Sequence, residues 1–127
     1  MLAPILKQGP FLIVTIQSAL RDSDLIQLRD ALMASLGKHR SRGVIVDVTA
    51  LDVMDSFASR TLRDTAHMTR LRGAETVIVG IQPEVAFAMV QLGLTLEAVT
   101  TALDLEEGLA YLQRSSRKRA AGSDGGR

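Results

Sequence analysis

Five side chains that could do chemistry lie close together in the middle of the sequence, three carboxylates and two serines. They are Asp47, Asp52, Asp55, Ser56 and Ser59. An apolar run at 44–46 comes before them, and a segment with helical periodicity follows them. Because ligand sites in open parallel sheets form where the strands end, we expect this loop to hold a ligand or to contact a partner.

A metal site is the first chemistry to consider, because Asp47, Asp52 and Asp55 offer the oxygen ligands that Mg²⁺ prefers. A phosphoacceptor of the receiver type would need further acids after an earlier strand, where Gln17 stands instead. It would also need a lysine after a later strand, and none follows the last predicted strand before Lys118. The Asp-x-Asp pattern of phosphatases is missing as well. We therefore predict no metal site and no cofactor.

Nucleophilic catalysis by Ser56 or Ser59 would require a general base within hydrogen-bond reach. The two histidines are His39, at the end of one predicted helix, and His67, well inside the next. Neither is an obvious partner, and the Gly-x-Ser-x-Gly elbow of hydrolases does not occur. We predict that the protein is not an enzyme.

Ser56 is better suited to accept a phosphate group than to attack a substrate. A serine that opens a helix carries its hydroxyl beside free backbone N–H groups and the positive end of the helix dipole, which favour an anion. The alternative is that Ser56 is an ordinary helix cap, and the residues alone favour that alternative. Ser59 is a second candidate acceptor, or else a solvent-facing helix residue.

Two neighbours of Ser56 could contact a protein partner. Phe57 either points outward into an interface or folds back onto the core, and the sequence leaves both alternatives open. Arg60 is one of several arginines in the predicted helix, which either receive an acidic partner surface or are simply solvated.

The segments around this loop alternate between strand and helix patterns. Strands are predicted at 4–8, 11–17, 44–48, 76–79 and 98–102. Helices are predicted at about 24–37, 56–72, 83–93 and 105–114. The order β-β-α-β-α-β-α-β-α predicts an α/β domain with a mainly parallel sheet. The first two strands, separated by Gly9-Pro10, form either a hairpin or a bent edge strand.

The first helix has clear signals at both ends. Asp22 or Ser23 is predicted to cap its start, and its end is predicted at Gly37 and the basic residues Lys38, His39 and Arg40. Between these ends, one apolar stripe is formed by the leucines at 25, 28, 32 and 36.

The third and fourth helices are also marked by their first residues. Pro83 fits the first turn of the third helix, where its missing N–H costs nothing. The side chains of this helix expected to face inward are Val85, Met89 and Val90. Asp104 is expected to cap the fourth helix.

Length and composition suit one soluble domain. We place it at 1–114 of the 127 residues and expect 115–127, rich in Ser, Arg, Ala and Gly, to be a disordered tail. A net charge of +1 argues against nucleic acid or an anionic membrane as partner. The apolar run at 11–16 is too short to span a membrane, and the lack of cysteine permits a cytoplasmic location.

Several strings in the sequence resemble the STAS family, the domains of sulphate transporters and anti-sigma-factor antagonists. The run Val-Ile-Val-Asp-Val-Thr at 44–49, followed by Asp55-Ser56 and Leu62, resembles the family signature, and the likeness extends over about 3–114. The usual Asp-Ser-Ser-Gly-Leu is not kept, since residues 57–59 are Phe-Ala-Ser. Asp-Ser-Phe resembles a narrower branch, the scaffold antagonists of stressosomes. So do the strings at 14–17, 80–83, 92–94 and 101–109.

The resemblance implies the STAS (SpoIIAA-like) fold, with Ser56 at the phosphorylation position. It implies a non-enzymatic stressosome scaffold that sequesters an RsbT-type serine kinase and releases it on serine phosphorylation. The partner-binding residues would be Asp55, Ser56, Phe57 and Arg60, while Asp47 would brace the loop by accepting backbone hydrogen bonds.

The resemblance also implies assembly. The chain would join an RsbR-type STAS paralogue and self-associate into a large particle. Since no amino-terminal sensory domain is visible, we expect a minimal scaffold subunit. The alternative is a nucleotide- or small-anion-binding STAS domain, in which the same loop cradles the anion.

Overall fold

A computed structural model describes residues 4–93, 96 and 99–125 of the chain, which contain a five-stranded sheet. The strands are β1 (Ile5–Gln8), β2 (Phe11–Thr15), β3 (Gly43–Asp47), β4 (Glu75–Val79) and β5 (Thr100–Ala102). They lie in the order β1-β2-β3-β4-β5, with β2 to β5 parallel and β1 antiparallel at the edge. The predicted element order and the mainly parallel sheet with an N-terminal edge strand are confirmed.

The first two strands form a hairpin, which decides between the two arrangements left open above. Gln8 pairs with Phe11, and Ile5 pairs with Val14. The turn between them uses Gly9 at φ 59°, a left-handed conformation that glycine adopts without steric cost.

The helices lie on both faces of the sheet. They are α1 (Asp22–His39), α2 (Ser56–Leu71), α3 (Pro83–Gln91) and α4 (Leu105–Gly125). Side chains of α1, α2 and α3 pack into one apolar cluster with the strands, and Leu112 of α4 packs into a second. Within residues 4–93, 96 and 99–125, no helix is both long enough and apolar enough to cross a membrane.

The strands alternate between these two clusters along their length. Leu12 and Val14 of β2 belong to the larger cluster, while Phe11 and Ile13 belong to the smaller one under α4. Because successive side chains of a strand point to opposite faces, a strand covered on both sides is apolar at every position. The continuous apolar runs in the sequence follow from this arrangement.

Helix α1 keeps its predicted stripe, its predicted start is wrong, and its predicted end is confirmed in part. Its four buried leucines are those at 25, 28, 32 and 36. The cap is Arg21 rather than Asp22 or Ser23, and the Asp24 carboxylate accepts the Arg21 amide at 3.2 Å. At its other end the helix runs past Gly37 but stops at the predicted basic residues: Lys38 and His39 form its last turn, and Arg40 takes the left-handed conformation, at φ 50°, that ends it.

Helix α3 begins with Pro83 in its first turn, as predicted, and buries Val85 and Met89. Val90 was expected inside, yet it is 73% exposed. The reason is the helical period: a residue five positions after Val85 lies well off the stripe that Val85 and Met89 share. The predicted strand at 98–102 is observed from Thr100, and its residue 98 lies outside the described residues.

Helix α4 is capped as predicted, since Asp104 Oδ1 accepts the amide of Glu107 at 2.9 Å. The helix continues to Gly125, so the structure is helical over 115–125 of the tail predicted to be disordered, and residues 126 and 127 lie outside the described residues. Ser115 in this extension contacts the sheet, since its Oγ donates to Glu75 Oε1 at 2.8 Å. One turn earlier, inside the predicted helix, the Tyr111 hydroxyl donates to Glu75 Oε2 at 2.6 Å. Side-chain contacts with the rest of the domain thus continue past Arg114, where we predict that the domain ends.

Candidate functional site

The loop at 48–55 leaves the carboxyl end of β3 and leads into α2, as predicted for the candidate site. Two of its side chains hold it against the core, since Leu51 and Met54 are buried in the larger apolar cluster. Its backbone is tied to the sheet by the Val48 amide, which donates to Val79 O at 3.0 Å. The loop is therefore held in place by β3, which it follows, and by β4, to which it is hydrogen-bonded.

Asp47 uses its carboxylate within the loop. Its Oδ1 accepts the amide of Thr49 at 2.9 Å and the hydroxyl of Thr49 at 2.6 Å. A carboxylate that bonds the backbone two residues ahead forms a local turn. This contact is of the kind expected from a bracing residue.

The start of α3 closes the other side of the loop. Gln82 Nε2 donates to Thr49 O at 2.7 Å, which links the α3 cap to the turn after β3. Gly80 lies directly against Thr49 at φ 79°, and a Cβ at residue 80 would overlap the Thr49 hydroxyl. Sequence reasoning missed Thr49, Gly80 and Gln82 as site residues; the run Gly-Ile-Gln-Pro was its only available signal.

Helix α2 begins one residue after its cap, and the cap is Asp55. Its Oδ1 accepts the Ala58 amide at 2.8 Å, and its backbone oxygen accepts the Ser59 amide at 3.0 Å. Ser56 therefore occupies the first helical position, and its alternative assignment as the cap is wrong. A serine cap and an aspartate cap offer the same acceptor, so the sequence Asp-Ser does not distinguish them.

Ser56 is reachable from solvent, because its side chain is only half-buried. In the described part of the chain, the amides of Ser56 and Phe57 have no hydrogen-bond partner, as is normal for the first turn of a helix. An anion on the Ser56 oxygen would meet these donors and the positive end of the α2 dipole. The exposed Asp55 carboxylate next to it would oppose the same anion.

Ser59 has a different environment from Ser56. It is 3% exposed, and its hydroxyl has no hydrogen-bond partner among the described residues. The expectation that it faces solvent if it has no other role is wrong, because it lies on the buried side of α2. Its hydroxyl is therefore not accessible from solvent in this structure.

Four residues near Ser56 in the sequence are exposed or only half-buried. Phe57 is half-buried and belongs to neither apolar cluster, and Val53 before the helix is 63% exposed. Arg60 is exposed one turn after Ser56, so it lies on the same side of the helix. We call Val53, Asp55, Ser56, Phe57 and Arg60 together the Ser56 surface.

The three carboxylates of the loop do not converge. Asp47 turns toward Thr49, and Asp55 caps α2. In the ranges described, no group of three or more His, Cys, Asp or Glu side chains is placed to hold a metal ion. His67 is exposed eleven residues after Ser56, about 16 Å farther along the helix axis, so it cannot activate that hydroxyl.

Comparison with known protein families gives one match over most of the chain. The STAS domain model matches residues 3–108. RsbRA of Bacillus subtilis (strain 168), described as an RsbT co-antagonist protein, is 32% identical over 93 residues, which are 72% of this chain and 34% of that relative. The chain thus spans about a third of the length of this curated relative.

Solved structures give matches over nearly the whole of both chains. A serine-to-glutamate variant of RsbS from Moorella thermoacetica has a TM-score of 0.79 at 34% identity, covering 91% of this chain and 97% of that one. A structure of the stressosome, described as a signal integration and transduction hub, has a TM-score of 0.73 at 31% identity, covering 90% and 99%. Unphosphorylated SpoIIAA, at 12% identity and a TM-score of 0.67, shares the fold over 88% and 97% of the two chains.

Proposed function

Because the chain belongs to the STAS domain family, we propose that it is a stressosome scaffold and antagonist that sequesters an RsbT-type serine kinase until Ser56 is phosphorylated. The likeness to RsbS and to a stressosome chain, each over nearly its full length, supports the stressosome role. The RsbT co-antagonist relative supports a kinase of that type as the partner.

One observation carries the proposal: the Ser56 side chain is accessible to solvent at the start of α2, while the Ser59 side chain is buried. The kinase would transfer the terminal phosphoryl group of ATP to the Ser56 oxygen, with loss of the hydroxyl proton and release of ADP. The product carries nearly two negative charges at neutral pH. This is a large change for a surface that already holds the Asp55 carboxylate.

The added charge would act on the Ser56 surface in two ways. It would repel Asp55 and any acidic group that the kinase places there. It would also attract Arg60 one turn later, and an arginine engaged by an internal phosphate is no longer available to a partner. Both effects weaken the complex, so the kinase is released by the product of its own reaction.

The uncharged part of the surface supplies affinity before phosphorylation. Phe57 and Val53 flank Ser56 with apolar area that neither core cluster uses. Aromatic side chains that can be desolvated at the centre of an interface often dominate its binding energy. Phe57 is therefore the proposed anchor for the kinase.

Assembly with further STAS domains is the second part of the proposal. The chain would bind copies of itself and an RsbR-type paralogue to form a large stressosome particle. Helix α3 offers apolar surface for such contacts, since Phe87 is 67% exposed and Val90 is 73% exposed. A cytoplasmic location follows from the proposal, because the kinase requires ATP.

Small-anion or nucleotide binding by the loop at 48–55 has less support. The amide and hydroxyl of Thr49 are already bonded to Asp47, so they are not available to an anion. The nearby carboxylates of Asp52 and Asp55 are exposed and would repel one. The same features give no support to catalysis at this loop, and we propose a non-enzymatic protein.

The direct test is a mixture of the full chain with an RsbT-type kinase encoded in the same genome. Size-exclusion chromatography should show a complex without ATP and its dissociation after Mg²⁺ and ATP are added. The Ser56→Ala variant should form the same complex and retain it with ATP. Dissociation of the Ser56→Ala complex by ATP would contradict the proposed switch.

A further inference from the structure

A polar cavity of about 310 Å³ lies at the amino ends of β3 and β4, at the opposite end of the sheet from Ser56. Two helices end beside it, and the residue that terminates each is an arginine. Arg40 terminates α1, and Arg72 terminates α2. Ser41 and Arg42, which lead into β3, complete its polar lining.

Three arginine side chains, those of Arg40, Arg42 and Arg72, give this cavity a positive lining. All three arginines that line it are exposed at the surface, and no acidic residue lines it. Arg42 already contacts the Ser116 hydroxyl at 3.4 Å. For Arg40 and Arg72, no carboxylate lies within ion-pair distance in the described part of the chain.

Arg72 reaches across to the other helix. Its Nη2 lies 3.1 Å from the position that a Cβ at residue 37 would occupy. Gly37 therefore leaves room for the guanidinium at the end of α1. A glycine within a helix is unfavourable relative to alanine, so this space has a conformational cost.

Basic residues at helix ends are common, because they offset the partial negative charge of the last carbonyls. Here backbone amides already donate hydrogen bonds to a carbonyl in the last turn of each helix. Leu36 O accepts the amides of Arg40 and Ser41, and Thr69 O accepts those of Arg72 and Ala74. The two guanidinium groups therefore have donors left for another acceptor.

Ser41 provides an independent observation. It is 7% exposed, lines the cavity, and its hydroxyl has no hydrogen-bond partner among the residues described. A buried hydroxyl without a partner is unfavourable and rare in folded proteins. An acceptor bound in the cavity would satisfy it.

We propose that this cavity, the arginine cavity, binds a phosphate-class oxyanion held by Arg40 and Arg72, with the Ser41 hydroxyl as a further donor. Guanidinium groups bond phosphate oxygens in pairs, which suits two arginines that converge from different helices. No aromatic side chain lines the cavity, so it offers nothing on which a nucleotide base could stack. The site is separate from the Ser56 surface and does not depend on the function proposed for it.

The experiment is a titration of the full ¹⁵N-labelled chain with potassium phosphate, matched in ionic strength with potassium chloride. Amide shifts in NMR spectra should saturate and be confined to about residues 36–42 and 72–74. Arg40→Gln and Arg72→Gln should each weaken phosphate binding by about tenfold. Arg63→Gln, which removes the same charge elsewhere on α2, is the matched control and should leave the affinity unchanged.

Two further variants separate binding from folding. Ser41→Ala should weaken phosphate binding without lowering the thermal stability of the phosphate-free protein, because it deletes a hydroxyl that lacks a partner. Gly37→Ala should raise helix stability while displacing Arg72, and should also bind phosphate more weakly. Repeating the titration with ribose 5-phosphate shows which ligand carries the oxyanion. Tighter binding than inorganic phosphate indicates a phosphorylated small molecule, and equal affinity indicates the free oxyanion.

The proposal fails if phosphate shifts do not saturate, or if chloride produces the same shifts. It also fails if Arg63→Gln weakens binding as much as Arg72→Gln, since the effect would then reflect overall charge.

Discussion

The Asp55 carboxylate accepts the amide of Ala58 at 2.8 Å, and this hydrogen bond sets where α2 begins. It satisfies one of the free donors of the first turn and leaves the Ser56 hydroxyl at the surface.

Removing this cap should weaken the fold measurably. We expect Asp55→Ala to lower the free energy of unfolding by about 1 kcal/mol, and Asp55→Asn, which keeps the acceptor, to lower it much less. Urea denaturation measures both. Asp52→Ala, at an exposed position of the same loop, is the control and should have little effect. Equal losses for Asp52→Ala and Asp55→Ala would show that the cap is not the cause.

Phosphorylation should select Ser56 over Ser59. Incubation with the kinase and ATP, followed by peptide mass spectrometry, should find phosphate on Ser56 in the wild type and none in Ser56→Ala. Ser59→Ala should be phosphorylated normally, because Ser59 is buried. Phosphate on Ser59 in the folded wild type would count against the structural distinction between the two serines.

A permanent negative charge at residue 56 should mimic phosphorylation and so weaken binding of the kinase. Ser56→Asp should weaken kinase binding by at least about tenfold in isothermal titration calorimetry, since it adds charge within the interface. Ser23→Asp is a matched control, because Ser23 is exposed in the first turn of α1 and gains the same charge. Similar affinity for wild type and Ser56→Asp would contradict the switch.

Phe57 should matter for binding and little for stability. Phe57→Ala should weaken kinase binding by about 2 kcal/mol while changing the free energy of unfolding by less than about 1 kcal/mol. Phe11→Ala supplies the contrast: Phe11 is 4% exposed in the core, so its truncation should destabilise the fold by about 3–5 kcal/mol. A large stability loss in Phe57→Ala would mean that this ring belongs to the core.

Gly80 should tolerate no side chain, because a methyl group there would strike Thr49. Gly80→Ala combines this clash with the strain of a positive φ, so we expect it to lose more than about 2 kcal/mol of stability. Gly9→Ala has a similar φ of 59° but open space around it, and it should lose only about 1 kcal/mol. Thermal unfolding of both variants isolates the contact with Thr49.

The parts of the fold that repeat along the chain were predictable from sequence. The leucine stripe of α1, the apolar strands and Pro83 at the start of α3 each follow from a local period or a backbone constraint. The residue that ends α1 was not, although basic residues were predicted near it, because Arg40 takes a conformation that is usually left to glycine. Nothing local in the sequence indicates that an arginine will do so.

The candidate site was only partly predictable, for a different reason. The position of Ser56 at a helix start follows from the local sequence Asp-Ser and its family likeness. The contacts that hold the loop join Thr49 to Gly80 and Gln82, which lie more than thirty residues later. The burial of Ser59 likewise depends on which side of α2 meets the sheet. Such facts arise from tertiary packing and have no local signature.

The hydrogen bond between Tyr111 and Glu75 allows the intrinsic fluorescence of the protein to report on the position of α4. The sequence has one tyrosine and no tryptophan, so all tyrosine fluorescence of the chain arises at this single ring. The ring sits on α4 with its hydroxyl 2.6 Å from a carboxylate of β4. Detachment of α4 from the sheet would therefore change the fluorescence without any added dye.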